Sequence, residues 1–394
     1  MARPFLADAQ FIDKAKNGRA SRINTCIACN QGCLDRVFRR KRATCLVNPR
    51  ACYETELIIE PTKIPKRIIV IGLGAAGMAF ASVAAERGHA VTAYDIADIG
   101  GQLRLAVKIP GKQEFEETLR YFRHAMEDHG VELKLGQSLS ARQIRATECD
   151  AVVIATGVTP RMPQIDGIDN RKVVSYVDII DGRIAAAERV AIIGAGGIGF
   201  DVATFLIDQY QAENKTHWLQ GWGVDAEYRG RGGLLDQAER LPSDRRIYLL
   251  QRKHTKPGAT LGKSTGWIHR AALKNAGVEM LSGVKYQRID NDGLHVTHDG
   301  TDLVLEVDQV IVCAGQEPNR TLADELQGSG MLVHVIGGAD KALAIPAIAP
   351  AATSNSNAVI RRGDCHHGRN CPRMMVSSCR VTSSRDSGSV GAPA

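Results

Sequence analysis

Two glycine-rich turns, each entered from a β-branched run and left through a helical one, restrict this 394-residue chain more than any other feature. Lys66 to Ile71 is a short apolar run of the kind a parallel strand buried on both faces requires. It leads into Gly72-Leu-Gly74-Ala-Ala-Gly77, then a small-residue helix up to Gly88, then a second strand, His89 to Asp95, that ends on an acid. Each part has a physical task. Gly72 makes a tight turn, Gly74 leaves room for a pyrophosphate, and Gly77 lets helix and strand close on one another. The helix N-terminus faces the phosphates, and Asp95 is placed to accept hydrogen bonds from a ribose.

The pattern recurs. Arg189 to Ile193 runs into Gly194-Ala-Gly196-Gly-Ile-Gly199 and a helix from Phe200 to Ile207. A polar insertion, residues 208–245, then precedes the next strand, Arg246 to Gln251. Past that strand stand Arg252 and Lys253 instead of an acid, a pair suited to a 2′-phosphate, so the second unit is expected to take NADPH in preference to NADH. Two incidental surface cations are the alternative. Two units imply two nucleotides. Ala155-Thr-Gly157 and Cys313-Ala-Gly315 end matching strands where the chain returns towards those nucleotides, and Asp340 ends a later segment that could reach a flavin ribityl chain. The predicted fold class is α/β, with two Rossmann-like nucleotide-binding domains, one inserted in the other.

Ahead of these units five cysteines fall between residues 26 and 52. Cys26, Cys29 and Cys33 are packed into one short loop and Cys45 follows after eleven residues, so four thiolates can converge on one centre. The uneven spacing suits a [4Fe-4S] cluster better than the paired knuckles common in zinc sites; zinc and a set of buried free thiols are the alternatives. Gly32 is expected to let the backbone approach a bulky inorganic core, and Cys52 to be a packed thiol. The formal charge of +7 is uneven: residues 1–66 carry thirteen basic and six acidic side chains, many of them around these cysteines. Cations beside an anionic cluster account for that run, and no nucleic-acid partner is expected. No apolar run is long enough to span a membrane. The thiol placement points to a reducing cytoplasm.

On these residues the chain resembles the C-terminal half of the bacterial NADPH-dependent 2,4-dienoyl-CoA reductases, within the trimethylamine-dehydrogenase-like flavin and iron–sulfur oxidoreductases. The resembling stretches include Cys26 to Asp35, Cys45 to Cys52, Gly100-Gly-Gln102, Ile109 to Lys112, Gly194 to Asp201, Leu261 to His269 and Cys313 to Asn319. The resemblance implies disulfide-reductase-like FAD and NAD(P) domains preceded by an iron–sulfur segment. It implies that Cys26, Cys29, Cys33 and Cys45 ligate the cluster, that Gly72, Gly74, Gly77, Asp95, Gln102 and Asp340 hold FAD, and that Gly194, Gly196, Gly199, Arg252 and Lys253 hold NADPH. Trp267 is carried over to the same nucleotide, with core packing as its plainer role. In such relatives electrons pass from NADPH to FAD, to the cluster, to FMN in a TIM barrel, and to a dienoyl-CoA of unsaturated fatty acid β-oxidation. The barrel, its FMN site and its acid–base residues have no counterpart here, so no catalytic side chain is assigned, and 2,4-dienoyl-CoA is a partner only through a missing or separate barrel.

The expected boundaries are 1–21, the end of a barrel; 22–64, the iron–sulfur segment; 65–184 and 308–343, the two parts of the FAD domain; 185–307, the NADPH domain; and 344–394, a disordered tail whose sequence resembles an altered reading frame. A stand-alone electron-transfer subunit serving a separate FMN protein, and a non-enzymatic scaffold that has lost its cofactors, are the other two readings.

Overall fold

The structure is a computed structural model that describes residues 1–207, 215–238 and 242–342. The expected disordered tail, 344–394, lies outside the described residues, as does part of the 208–245 insertion. The described part of that insertion holds a short helix, Lys215–Gly221, and a 3-10 turn, Arg231–Gly233. No helix of the described residues is long and apolar enough to cross a membrane.

Fifteen strands lie among the described residues: β1 (Arg67–Ile71), β2 (Ala90–Asp95), β3 (Glu132–Leu135), β4 (Ala151–Ile154), β5 (Val158–Pro160), β6 (Val173–Ser175), β7 (Arg189–Ile193), β8 (Arg246–Leu250), β9 (Glu279–Leu281), β10 (Lys285–Ile289), β11 (Leu294–His298), β12 (Thr301–Leu305), β13 (Gln309–Val312), β14 (Gln316–Pro318) and β15 (Val333–Val335). Two five-stranded parallel sheets repeat one plan, β15-β4-β1-β2-β3 and β6-β13-β7-β8-β9. In each, the strand before the glycine turn is central, the next strand lies on one side and a later strand on the other.

The central strands show why the apolar runs are unbroken. Along β1, Ile68 and Val70 enter one core with the helix Ala75–Glu86, while Ile69 and Ile71 enter another on the opposite face. Along β7, Val190 and Ile192 face one core; Ala191 and Ile193 face another with β11 and β12. Burying each such side chain stabilises the fold by about 1.5–3 kcal/mol. The helix Ala75–Glu86 buries mostly alanines with Met78 and Phe80, so it can lie close on its sheet.

Sheet membership corrects two expected boundaries. β13, assigned by sequence to the resumed first unit, pairs with β6 and β7 in the second sheet. β6, assigned to the first unit, belongs to the second sheet as well. The crossing point is the antiparallel pair β5–β14, where Pro160 faces Gln316 and Val158 faces Pro318. Short strands carry too little pattern to reveal which sheet they join.

Residues 1–64 contain only short helices, among them Arg3–Ala7, Phe11–Lys16 and Leu34–Val37. They are fastened to the helix Phe115–Asp128: Arg22 pairs with Asp128 at 2.9 Å, and Arg120 donates to the carbonyls of Ser21 and Ile23 and to Thr25 Oγ1. Asp8, 6% exposed, accepts from Lys14 Nζ and from the Asn24 N–H, which ties the first helices to the cysteine segment.

Candidate functional site

The first glycine turn is built by sterics. Gly72 has φ +95°, and a Cβ there would lie 2.5 Å from Ala155 O; a Cβ on Gly77 would lie 1.8 Å from Gly72 O. Around Gly74 there is open space. The turn is therefore fixed where no side chain fits and clear at the glycine that caps the helix, where backbone N–H groups and the helix dipole favour an anion. Asp95 braces it: Oδ2 accepts from Leu73 N–H at 2.7 Å and Oδ1 from Ala97 N–H at 2.9 Å. A carboxylate offers further lone pairs, so a ribose could still be bound.

The second turn repeats these relations. Gly194 has φ +118° with its Cβ position 2.3 Å from Cys313 O, Gly199 would press on Gly194 O at 1.8 Å, and Gly196 is clear. Gly72 N–H donates to Tyr94 O and Gly194 N–H to Leu250 O, each at 2.8 Å, which aligns the two units residue by residue. Asp95 of the first thus corresponds to Gln251 of the second, a residue the sequence reading passed over. Gln251 turns its amide onto the following loop, donating to Lys253 O at 3.0 Å. Arg252 and Lys253 are exposed in that loop.

Gly100, Gly101 and Gln102 lie against the first turn: Gly100 N–H donates to Leu73 O at 2.7 Å, and a Cβ on Gly101 would come within 3.1 Å of Gly74 Cα. Gln102 starts the short helix Leu103–Ala106 and is half-buried. Gly337 packs on Ala76, placing the following 3-10 turn over the same helix end. Asp340, just after it, is exposed and lies 3.8 Å from Arg320. Between the units, Lys112 Nζ holds both carboxylate oxygens of Asp201 at 2.6 Å. His269 faces this pair, and burial holds its pKa below the usual imidazole value. The buried thiol of Cys313, pushed up by burial, lies in the same surroundings. Trp267 is 56% exposed and donates its indole N–H to Ser264 O at 3.1 Å, so core packing is not its role.

Cys26, Cys29, Cys33 and Cys45 line one small cavity with Ile27, Gly32 and Leu46. Backbone N–H groups of Gln31 and Gly32 are directed at Cys29, and those of Val47 and Asn48 at Cys45. Burial outweighs them, raising the Cys29 thiol and pushing Cys45 up to about 11. Gly32 serves the protein backbone: a Cβ there would meet Leu46 N at 2.8 Å and Cys45 C at 2.9 Å, so its absence lets the two arms of the site touch. Cys52 is exposed with φ +63°, not packed. Among the described residues, the donor atoms that gather within 4.8 Å of one another belong to Asp290, Asp292 and His295 on the β10–β11 hairpin. Four thiols on one cavity, with amides aimed at two of them, form a thiolate donor set that fits a zinc ion or an iron–sulfur cluster.

Residues 66–337 match the family model of the pyridine nucleotide-disulphide oxidoreductases. A metal reductase of Desulforamulus reducens is 36% identical over 356 residues, covering 86% of this chain and 51% of that protein. A bilirubin reductase of Mediterraneibacter gnavus is 27% identical over 338 residues, covering 86% and 47%. The solved complex of a 2-naphthoyl-CoA reductase with 2-naphthoyl-CoA superimposes with a TM-score of 0.79 at 28% identity, covering 90% of this chain and 49% of that one. The chain spans about half the length of these relatives.

Proposed function

From the premise that this chain belongs to the pyridine nucleotide-disulphide oxidoreductase family, we propose that it is the electron-input half of a flavin and iron–sulfur reductase. It binds FAD at Gly72, Gly74, Gly77, Asp95, Gln102 and Asp340. It binds NADPH at Gly194, Gly196, Gly199, Arg252 and Lys253, beside Trp267, and a [4Fe-4S] cluster at Cys26, Cys29, Cys33 and Cys45. When bound, the flavin accepts hydride as an electron pair and the cluster takes electrons singly, chemistry that no side chain supplies.

The chain's own residues align and insulate. The two glycine turns present helix N-termini to two pyrophosphates. Asp95 and the Arg252–Lys253 loop separate the nucleotides by charge: an acid repels a 2′-phosphate and two cations attract it. Lys112 and Asp201 tie the two cradles to one another across the units. In this reading the FAD unit is 65–160 with 316–342, the NADPH unit is 161–315, and residues 22–64 carry the cluster. A reducing compartment such as the cytoplasm is part of this reading, since it would keep the four cysteines as thiolates for the metal.

The observation that carries the proposal is the repeated cradle with opposite charge at the ends of β2 and β8. The relatives support its placement. A metal reductase, a bilirubin reductase and a naphthoyl-CoA reductase act on unrelated acceptors, yet all match this same stretch. Shared electron uptake belongs here, and acceptor chemistry to the other half of those proteins. The naphthoyl-CoA reductase favours a CoA thioester acceptor, of which 2,4-dienoyl-CoA reached through an FMN barrel is our specific proposal.

The test is anaerobic purification with flavin, iron and sulfide assays and visible spectra before and after NADPH. Flavin bands over a broad cluster absorption, both bleached by NADPH, are the expected result. Zinc without labile sulfide would overturn the cluster assignment, and a colourless protein inert to NADPH would overturn the whole reading.

A further inference from the structure

Asp35 is only 4% exposed, a depth at which a carboxylate needs firm partners. Its main chain belongs to the cysteine loop. Asp35 N–H donates to Asn30 O at 3.0 Å, and Cys33 O accepts from the N–H groups of Arg36 and Val37, both at 3.1 Å, so the short helix clamps the Cys29–Cys33 stretch. Its side chain reaches the other unit. Oδ1 accepts from Ser264 N–H at 2.9 Å, across 229 residues of sequence, at the turn that starts the helix Gly266–Asn275. Gly262 makes this approach possible, because a Cβ there would lie 2.7 Å from Asp35 Oδ2. The carbonyl of Ser264 then accepts from the indole of Trp267. One backbone residue is held from one side by Asp35 and steadies an exposed aromatic ring on the other.

We propose that Asp35 is a positioning residue that couples occupancy of the four-cysteine site to binding of the nicotinamide nucleotide. Resting on the function proposed above, the chain of contacts runs in order. A filled site fixes the Cys29–Cys33 loop, the loop fixes Asp35, and Asp35 fixes the Ser264 turn with Trp267 at the nucleotide. Linkage makes the effect reciprocal: bound nucleotide tightens the hold on the metal by the same factor, about tenfold for couplings of ordinary size.

The experiment is calorimetric titration of the full chain with NADP⁺, which binds without delivering hydride, before and after chelator removes the metal, with iron content and melting checked throughout. Stripping the wild type is expected to weaken NADP⁺ about tenfold. Asp35→Ala should lose a similar factor while still loaded and lose nothing more when stripped. Asp35→Asn should stay near wild type, since its amide oxygen can accept the same N–H. Gly262→Ala, which pushes on the contact from the nucleotide side and changes no residue of the cysteine segment, should behave as Asp35→Ala does and decides the matter if that variant fails to fold. Equal losses on stripping in wild type and variants, or full affinity in loaded Asp35→Ala and Gly262→Ala, would overturn the coupling alone. A wild type that holds metal but binds no NADP⁺ would instead overturn the function on which it rests.

Discussion

Arg252 and Lys253 stand in the loop after β8, at the end of the sheet where the first unit places Asp95. Hydrogen bonds to a charged group contribute about 1.5–3 kcal/mol. The double variant Arg252→Ala/Lys253→Ala is therefore expected to lose about tenfold or more in kcat/KM for NADPH and to leave NADH little changed; steady-state assays with both coenzymes measure the ratio. An equal loss for both would assign the pair to folding and not to the phosphate. At this scale the sequence was most readable where a residue acts on its immediate neighbours. Gly77 and Gly199 each protect a carbonyl five residues earlier, so their spacing is a local constraint. Gly32 was legible as a required glycine, but its backbone obstacle, Leu46 N, arrives from the other arm of the site, which no local pattern announces. Gln251 gave no signal at all: its equivalence to Asp95 exists only through strand register.

The helix Phe115–Asp128 shows what patterns leave hidden. Its sequence reads as an ordinary amphipathic surface helix, yet Arg120 crosses to the carbonyls of Ser21 and Ile23, the latter 97 residues away. Leaving such carbonyls without a donor costs about 1–3 kcal/mol each where they are buried. Arg120→Ala is expected to loosen the cysteine segment, so the purified variant should hold less iron per chain than wild type while keeping its flavin. Loss of both together would mean that the helix supports the first sheet as a whole. The strands tell the same story. β1 and β7 were readable because both of their faces are buried; β6 and β13 were placed in the wrong unit because three or four apolar residues do not say which sheet they complete.

Across the molecule, the two sheets meet where Lys112, Asp201 and His269 gather, and this contact carries a pH dependence. Burial lowers the His269 pKa from 6.5, with Lys112 and Arg270 acting in the same direction and Asp201 opposing. The folded chain keeps the ring neutral while the unfolded chain takes up a proton below about 6.5. The contribution to stability is thus complete above that value and is lost as pH falls through the folded-state pKa. Between pH 7 and 5 the melting temperature of the wild type should drop more steeply than that of His269→Gln, whose side chain does not titrate; parallel curves would contradict this. No sequence pattern assembles the trio, because its members come from three separate segments.

The β5–β14 ribbon has a consequence for ancestry and engineering. Because the strand leaving the first sheet and the strand returning to it lie side by side, the whole inner unit hangs from a single narrow stalk. A stretch whose ends are neighbours can be exchanged without re-threading the host, provided the stalk, the Lys112–Asp201 and Lys108–Asp181 pairs and the Asp35–Ser264 contact are matched. On the proposed function, coenzyme choice is a detachable property: a cassette running from Arg161 to Gly315 and taken from an NADH-using relative would carry its preference with it and leave the flavin cradle as it stands.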